Sequence, residues 1–136
     1  MCCLDRQAVS EVPESIREWL ASIRVGLPQA LSGNIQIGIG TDAGLPGTDF
    51  NSALREMFAL VAFGAPPLRA LQAATLVPAR ALRLDRSLGY IKKGFHADIL
   101  CLESNPLEDI TAVTRPIGVV KAGHLTRSKI NHKQHT

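Results

Sequence analysis

The amino-acid sequence predicts an α/β fold that gives way to a small β portion near residue 88, and three features carry that expectation. Residues 14–32 place Ile16, Leu20, Ile23 and Leu27 at helical spacing. The run Ile35-Gln36-Ile37-Gly38-Ile39-Gly40 follows at once. It is short, β-rich and poor in polar groups, as in a strand buried on both faces of a parallel sheet. From Gly89 onward, helical spacing yields to short β-prone runs separated by turns. A helix leading directly into a buried strand is half of a βαβ repeat.

Composition bounds the reading. With 136 residues, 46% hydrophobic and 20% charged, the chain has a core to bury, which excludes a disordered tail. Eleven Gly and eight Pro are ordinary usage, so collagen-like and low-complexity chains are excluded too. No apolar run reaches the roughly 18 residues of a membrane span. Asp5 stands where a secretory leader needs basic and then apolar residues. A soluble, cytoplasmic chain with no membrane partner is therefore expected. The net charge of +3 is unevenly spread. Residues 1–50 carry Arg6, Arg17 and Arg24 against six acids, and residues 51–136 carry twelve bases against six. Arg127, Lys129 and Lys133 account for the whole surplus, so there is no basic face and nucleic acid is not an expected partner. Cys2, Cys3 and Cys101 form no metal-binding spacing; Cys101, in an apolar run, reads as a buried structural thiol in a reducing compartment.

The elements follow in order. The first helix spans 14–32, weakened in its second half by Gly26 and Pro28, and Gly33-Asn34 breaks it. After the run at 35–40, residues 41–50 hold Gly44, Pro46 and Gly47, which forbid regular structure. A second helix from about Asn51 to Phe63 has Leu54, Met57, Phe58 and Val61 as its apolar stripe. Asp49 or Asn51 can cap it, and Gly64 stops it. Pro67 sits near the first position of a third helix, and Pro78 opens a fourth through Leu82. Tyr90-Ile91 and Ile99–Leu102 flank Lys92-Lys93-Gly94 and read as a hairpin; Ile117–Lys121 and Leu125-Thr126 flank Ala122-Gly123-His124 and read as a second. The tail from residue 127 is expected to be mobile.

The most informative segment is Gly38-Ile39-Gly40-Thr41-Asp42-Ala43-Gly44, and its residues admit three readings. As G-x-G-x-x-A it fits a loose dinucleotide fingerprint, which requires a helix to open by about Ala43. As an Asp after a strand, Asp42 can simply turn its own loop backbone. As a carboxylate at the carboxyl end of a buried parallel strand, Asp42 stands where a barrel enzyme projects its reactive side chains.

A resemblance bears on that choice. Gly40-Thr41-Asp42-Ala43-Gly44 resembles the end of the eighth barrel strand in the amidohydrolase superfamily of metal-dependent hydrolases. Pro67–Thr75 and Pro78–Leu82 resemble its post-barrel helices. Leu88-Gly89-Tyr90-Ile91, Lys93-Gly94, Ala97–Leu100 and Asn105-Pro106-Leu107 resemble the turn and strands of its C-terminal β-domain, and Ile117–Gly123 its closing strand. The ordered match runs from about residue 14 to residue 126 and is nearest to imidazolonepropionase- and prolidase-like members. It implies the last helix–strand–helix part of a (β/α)8 TIM-type barrel over residues 1–88. A small β-sandwich portion over 89–126 and the tail 127–136 would follow.

The implied chemistry is hydrolysis of an amide or other C–N bond in a small molecule. Asp42 matches the family's aspartate that ligates a divalent metal of the zinc class and acts as general base. Gly44, Leu45, Pro46 and Phe50 match the loop bordering the substrate pocket, with Phe50 where many relatives carry a His. The family's other ligands lie on strands one to six, and a full barrel takes roughly 250 residues. This chain has no His before His96. It is therefore expected to be a C-terminal portion, completed by a separate N-terminal half or by a homo-oligomer, or else a non-catalytic module. His96, His124, His132 and His135 lie in turns or in the tail, with no rigid scaffold to make a site. Asp98 is expected to brace the turn before its strand, and Asp85 and Asp109 to serve as turn and cap residues. Trp19 reads as packing.

Overall fold

The computed structural model describes residues 14–33, 35–44 and 51–128. Four helices come first: α1 (Glu14–Ser32), α2 (Ser52–Ala62), α3 (Pro67–Ala74) and α4 (Leu76–Ala81). Strand β1 (Ile99–Leu102), a 3-10 helix (Ile110–Thr114), β2 (Pro116–Lys121) and β3 (His124–Ser128) complete the described elements.

Local signals set most helix ends. α1 continues past Pro28 to Ser32. Asn51 stands at the N-cap position of α2. At the other end Gly64, at φ +98°, donates to Val61 O at 2.9 Å while Ala65 N–H donates to Leu60 O at 3.0 Å. Those are the two bonds of a Schellman stop, with glycine at its left-handed position. Pro67 occupies the first turn of α3, where its missing N–H costs nothing. α4 opens at Leu76, two residues before the Pro78 expected to start it.

The core is small. Met57 and Leu60 of α2 pack with Ala65, with Ala70 and Ala73 of α3, and with Ile110 and Val113 of the 3-10 helix. The 3-10 helix therefore joins the helical layer across the change of character at residue 88. Among the described residues no large side chain is fully buried, and Val25 and Ile91 are 66% and 85% exposed.

Residues 35–40 correct the sequence expectation. They form no strand. Ile37, Ile39 and Thr41 are half-buried while Gln36, Gly38, Gly40 and Asp42 are exposed, so the run packs through one face, not two. A strand needs a ladder partner, and none of the described residues supplies one. The segment is instead pinned by Ile39 N–H donating to Ala73 O of α3 at 2.8 Å.

The β portion is one three-stranded antiparallel sheet in the order β1-β2-β3. The second sheet of a sandwich is not among the described residues. The expected first hairpin does not form: Tyr90-Ile91 is not a strand, and β1 pairs with β2 (Ile99↔Val120, Cys101↔Gly118). The second hairpin forms with a two-residue turn. Ala122 and Gly123 sit at φ +49° and +82°, the signs a type I′ turn requires. Arg127 and Ser128, expected in the tail, belong to β3; residues 129–136 lie outside the described part. Cys101 is half-buried on β1 beside Gly118.

Candidate functional site

Asp42 lies two residues beyond the run that packs on α3. Ile39 is fixed to Ala73 O, Thr41 is half-buried, and Asp42 emerges exposed. Its backbone is left-handed, at φ +46°, followed by Ala43 in an isolated β-bridge and Gly44 in a turn at φ +118°. A left-handed backbone is uncommon outside glycine, and Asp is among the residues that tolerate it. No helix opens at Ala43, which removes the context a dinucleotide fingerprint needs. Of the loop expected to border a substrate pocket, Gly44 is exposed beside Asp42. Leu45, Pro46 and Phe50 lie outside the described residues, as do Asp49, Cys2, Cys3, His132, His135 and the side chain of Trp19.

Among the described residues no group of three His, Cys, Asp or Glu could hold an ion. A catalytic zinc takes three protein ligands plus water, so the described part of this chain does not by itself make such a site. His96 precedes β1, and its N–H donates to Ser87 O at 2.9 Å; His124 opens β3 and is exposed.

The other acids serve the scaffold. Asp98 does not brace the turn before its own strand. It reaches across to the β2–β3 turn, where it pairs with Lys121 Nζ and accepts Ala122 N–H at 2.8 Å. The Lys121 hydrogen bond, then the Ala122 amide, holds its carboxyl below the usual carboxylate range. Asp109 caps the 3-10 helix as expected, accepting Thr111 N–H at 2.9 Å and the Thr111 hydroxyl. Those bonds, the hydroxyl first, lower its pKa as well.

Sequence reasoning missed Arg69. From α3 its guanidinium donates to Leu31 O, to Ile35 O at 2.8 Å, to Gly33 O at 3.3 Å and to Ala30 O at 3.4 Å. It closes the carbonyl end of α1 and anchors the start of the run that ends in Asp42. Helix C-termini favour cations, but this one comes from 38 residues away, and no local pattern announces it. An open pocket of about 330 Å³ lies beside it, lined by Ile35, Gln36, Ile37, Leu68 and Gln72 among others. That pocket sits at the opposite end of the run from Asp42.

Residues 3–126 match the amidohydrolase family. The chain belongs to that family. Ochratoxinase of Aspergillus niger is 35% identical over 91 residues, which are 66% of this chain and 18% of that protein. A Bifidobacterium longum protein assigned as a prolidase is 33% identical, with a TM-score of 0.80 over 93% of this chain and 33% of that one. A Xaa-Pro dipeptidase solved with methionine in its active site is 32% identical, with a TM-score of 0.71 over 85% of this chain and 29% of that one. The chain thus spans a third or less of these relatives' length. Amidohydrolases generally use divalent metals. No helix of the described part is long and apolar enough to cross a membrane.

Proposed function

We propose that this chain forms the C-terminal portion of a metal-dependent amidohydrolase barrel that cleaves amide or other C–N bonds in small molecules, with Asp42 as its catalytic carboxylate. The family match over residues 3–126 carries this reading, because it runs through the segment that presents Asp42. The names of the relatives, a dipeptidase and a prolidase among them, support an amide-type substrate.

The chain's own part in the reaction is a proton relay. The exposed Asp42 carboxylate takes a proton from the attacking water as its oxygen bonds to the amide carbon. It then passes that proton to the nitrogen as the C–N bond breaks, which spares the amine from leaving as an anion. Asp42 also matches the position of a family metal ligand. The described residues do not complete a ligand set. The remaining ligands would come from the part of the barrel this chain does not span. Taken alone, the chain is then a non-catalytic module, and it is expected to turn over amides no faster than its Asp42→Asn variant.

The test is a graft. Residues 14–126 replace the corresponding third of the Bifidobacterium longum relative, and dipeptide hydrolysis is measured. The graft should be active, and Asp42→Asn within it should lower kcat by about 10²–10⁴-fold. A folded graft whose turnover is indifferent to Asp42→Asn would refute the assignment.

A further inference from the structure

We infer that the loop before β1 carries a binding site for a small phosphate monoester, with Lys92, Lys93 and His96 as its anion-holding groups. The inference does not depend on the catalytic reading of Asp42, and none of its residues belongs to the segment that presents that carboxylate.

The charge balance along the chain conceals a local excess. Residues 80–96 carry Arg80, Arg83, Arg86, Lys92 and Lys93 against Asp85 alone. The structure gathers part of that excess around one hollow. A pocket of about 200 Å³ is lined by Lys92, Lys93 and His96, and by Tyr90, Phe95 and Ile99 among others. No Asp or Glu lines it. Among the described residues no carboxylate pairs with Lys92, Lys93 or His96. Asp98, two residues beyond His96, lines the neighbouring groove and is committed to Lys121 and Ala122. Cations gathered without an acid raise the local potential, and a bound anion relieves it.

The groups are held in place. Phe95 N–H donates to Lys92 O at 3.1 Å and closes a turn, in which Gly94 takes the left-handed position at φ +87°. His96 N–H donates to Ser87 O at 2.9 Å. Arg80 Nη2 donates to the Tyr90 hydroxyl at 3.0 Å. The Tyr90 and Phe95 rings meet edge to face, with centroids 5.9 Å apart. Lys92 Nζ lies 5.8 Å from the centre of the Phe95 ring, within cation–π range. One wall is thus fixed from α4, and one ammonium is positioned before any ligand arrives. Such preorganisation lowers the ordering cost of binding.

Size and donor set select the ligand. The hollow is smaller than the roughly 300–1,000 Å³ of sites for drug-sized molecules, so it suits a compact one. Two ammonium groups match a dianion. A carboxylate is read best by the planar fork of an arginine, whereas lysine meets phosphate as a point charge. Arg80, the arginine at hand, already has Nη2 on Tyr90. With its phosphoryl group on Lys92, Lys93 and His96, a monoester lays a short organic body against Tyr90, Phe95 and Ile99. The same group occurs on soluble molecules and on the headgroup of phosphatidic acid, and the test separates these sources.

The test uses the full chain labelled with nitrogen-15. Probes are glycerol 3-phosphate, acetate, and phosphatidylcholine vesicles with and without phosphatidic acid, all at one ionic strength. Glycerol 3-phosphate should move the amide signals of residues 90–97 along a saturating curve, and acetate should not. Lys92→Gln and Lys93→Gln should each weaken binding by about fivefold or more, because charge-assisted bonds to phosphate are the strong ones. Lys93→Gln removes no ion pair or ring contact, so it keeps the reading clear of folding. Arg127→Gln removes one exposed charge from β3 and should leave binding unchanged. Saturable binding confined to vesicles that contain phosphatidic acid, and weakened by both lysine substitutions, would assign the monoester to a lipid headgroup. No saturable binding of either monoester, an equal response to acetate, or equal weakening by Arg127→Gln would overturn the site.

Discussion

Arg69→Ala is the substitution whose cost the structure lets one work out most fully. The guanidinium serves four carbonyls, at the end of α1 and at the start of the run leading to Asp42. A hydrogen bond to a charged group is worth about 1.5–3 kcal/mol net, and neutral or stretched bonds less. The bonds to Gly33 O and Ala30 O are long, at 3.3 and 3.4 Å, so two bonds dominate, those to Leu31 O and Ile35 O. Gly33 and Ile35 are exposed, and their freed carbonyls would regain water. The expected loss is therefore about 2 kcal/mol, well below a sum over four bonds. With a urea slope of about 1–2 kcal/mol/M for a chain of this size, the midpoint should fall by roughly 1–2 M. Amide exchange localises the effect. Ile39, whose N–H is held by Ala73 O, and the last turn of α1 should lose protection, while the β2–β3 hairpin keeps its own. Arg69→Lys should recover less than half of the loss, because a single ammonium cannot fork between two segments. A midpoint shift below about 0.3 M, with exchange at Ile39 unchanged, would refute the role assigned to Arg69.

Two further outcomes follow from geometry. Gly89 and Gly94 share nearly the same φ, +89° and +87°, but a side chain at Gly89 would meet Ala79 Cβ and Leu76 Cα at 3.1 Å, whereas at Gly94 nothing lies within 4 Å. Gly89→Ala should cost about 3 kcal/mol, from strain plus overpacking, and Gly94→Ala about 1 kcal/mol from strain alone, read as urea midpoints. Equal costs would refute the close packing. Asp98→Asn tests the strap on the β2–β3 turn. The folded carboxyl is held below its unfolded value, so its stabilisation is present above the usual carboxylate range and fades as pH falls through it. Wild type should exceed Asp98→Asn in stability near neutral pH and converge with it in acid; a gap that persists in acid would point to packing instead.

What could be read from the sequence is what short-range chemistry decides. Gly64 stops α2, Pro67 starts α3, Asp109 caps the 3-10 helix and Gly123 turns β2 into β3. Each sets a turn or a helix end at or beside its own position. The errors are the cases where a distant segment decides. Tyr90-Ile91 is β-prone and lies seven residues before β1, yet Gly89 packs tightly on Leu76 and Ala79, and Ser87 O accepts His96 N–H. The first contact holds the segment against α4, the second closes it into a loop, and β1 is left to find β2. Residues 35–40 have the composition of an inner strand, but composition states a preference for partners and cannot supply them. Arg69 was invisible for the same reason, since its acceptors stand 34 to 39 residues away.

Asp42 divides along the same line. That a carboxylate stands at the end of an apolar run, before a glycine-rich loop, was plain from the sequence. Its left-handed backbone was not, and the backbone determines how its role can be tested. Removal to Ala would place an ordinary side chain at φ +46°, and removal to Gly would relieve the backbone altogether; either would mix a conformational change with the loss of charge. Asn tolerates the left-handed region about as readily as Asp and keeps nearly the same shape. Asp42→Asn therefore leaves the turn in place and deletes the proton acceptor. A fall in kcat in the grafted enzyme, without a fall in its stability, assigns the loss to the carboxylate and not to the loop that carries it.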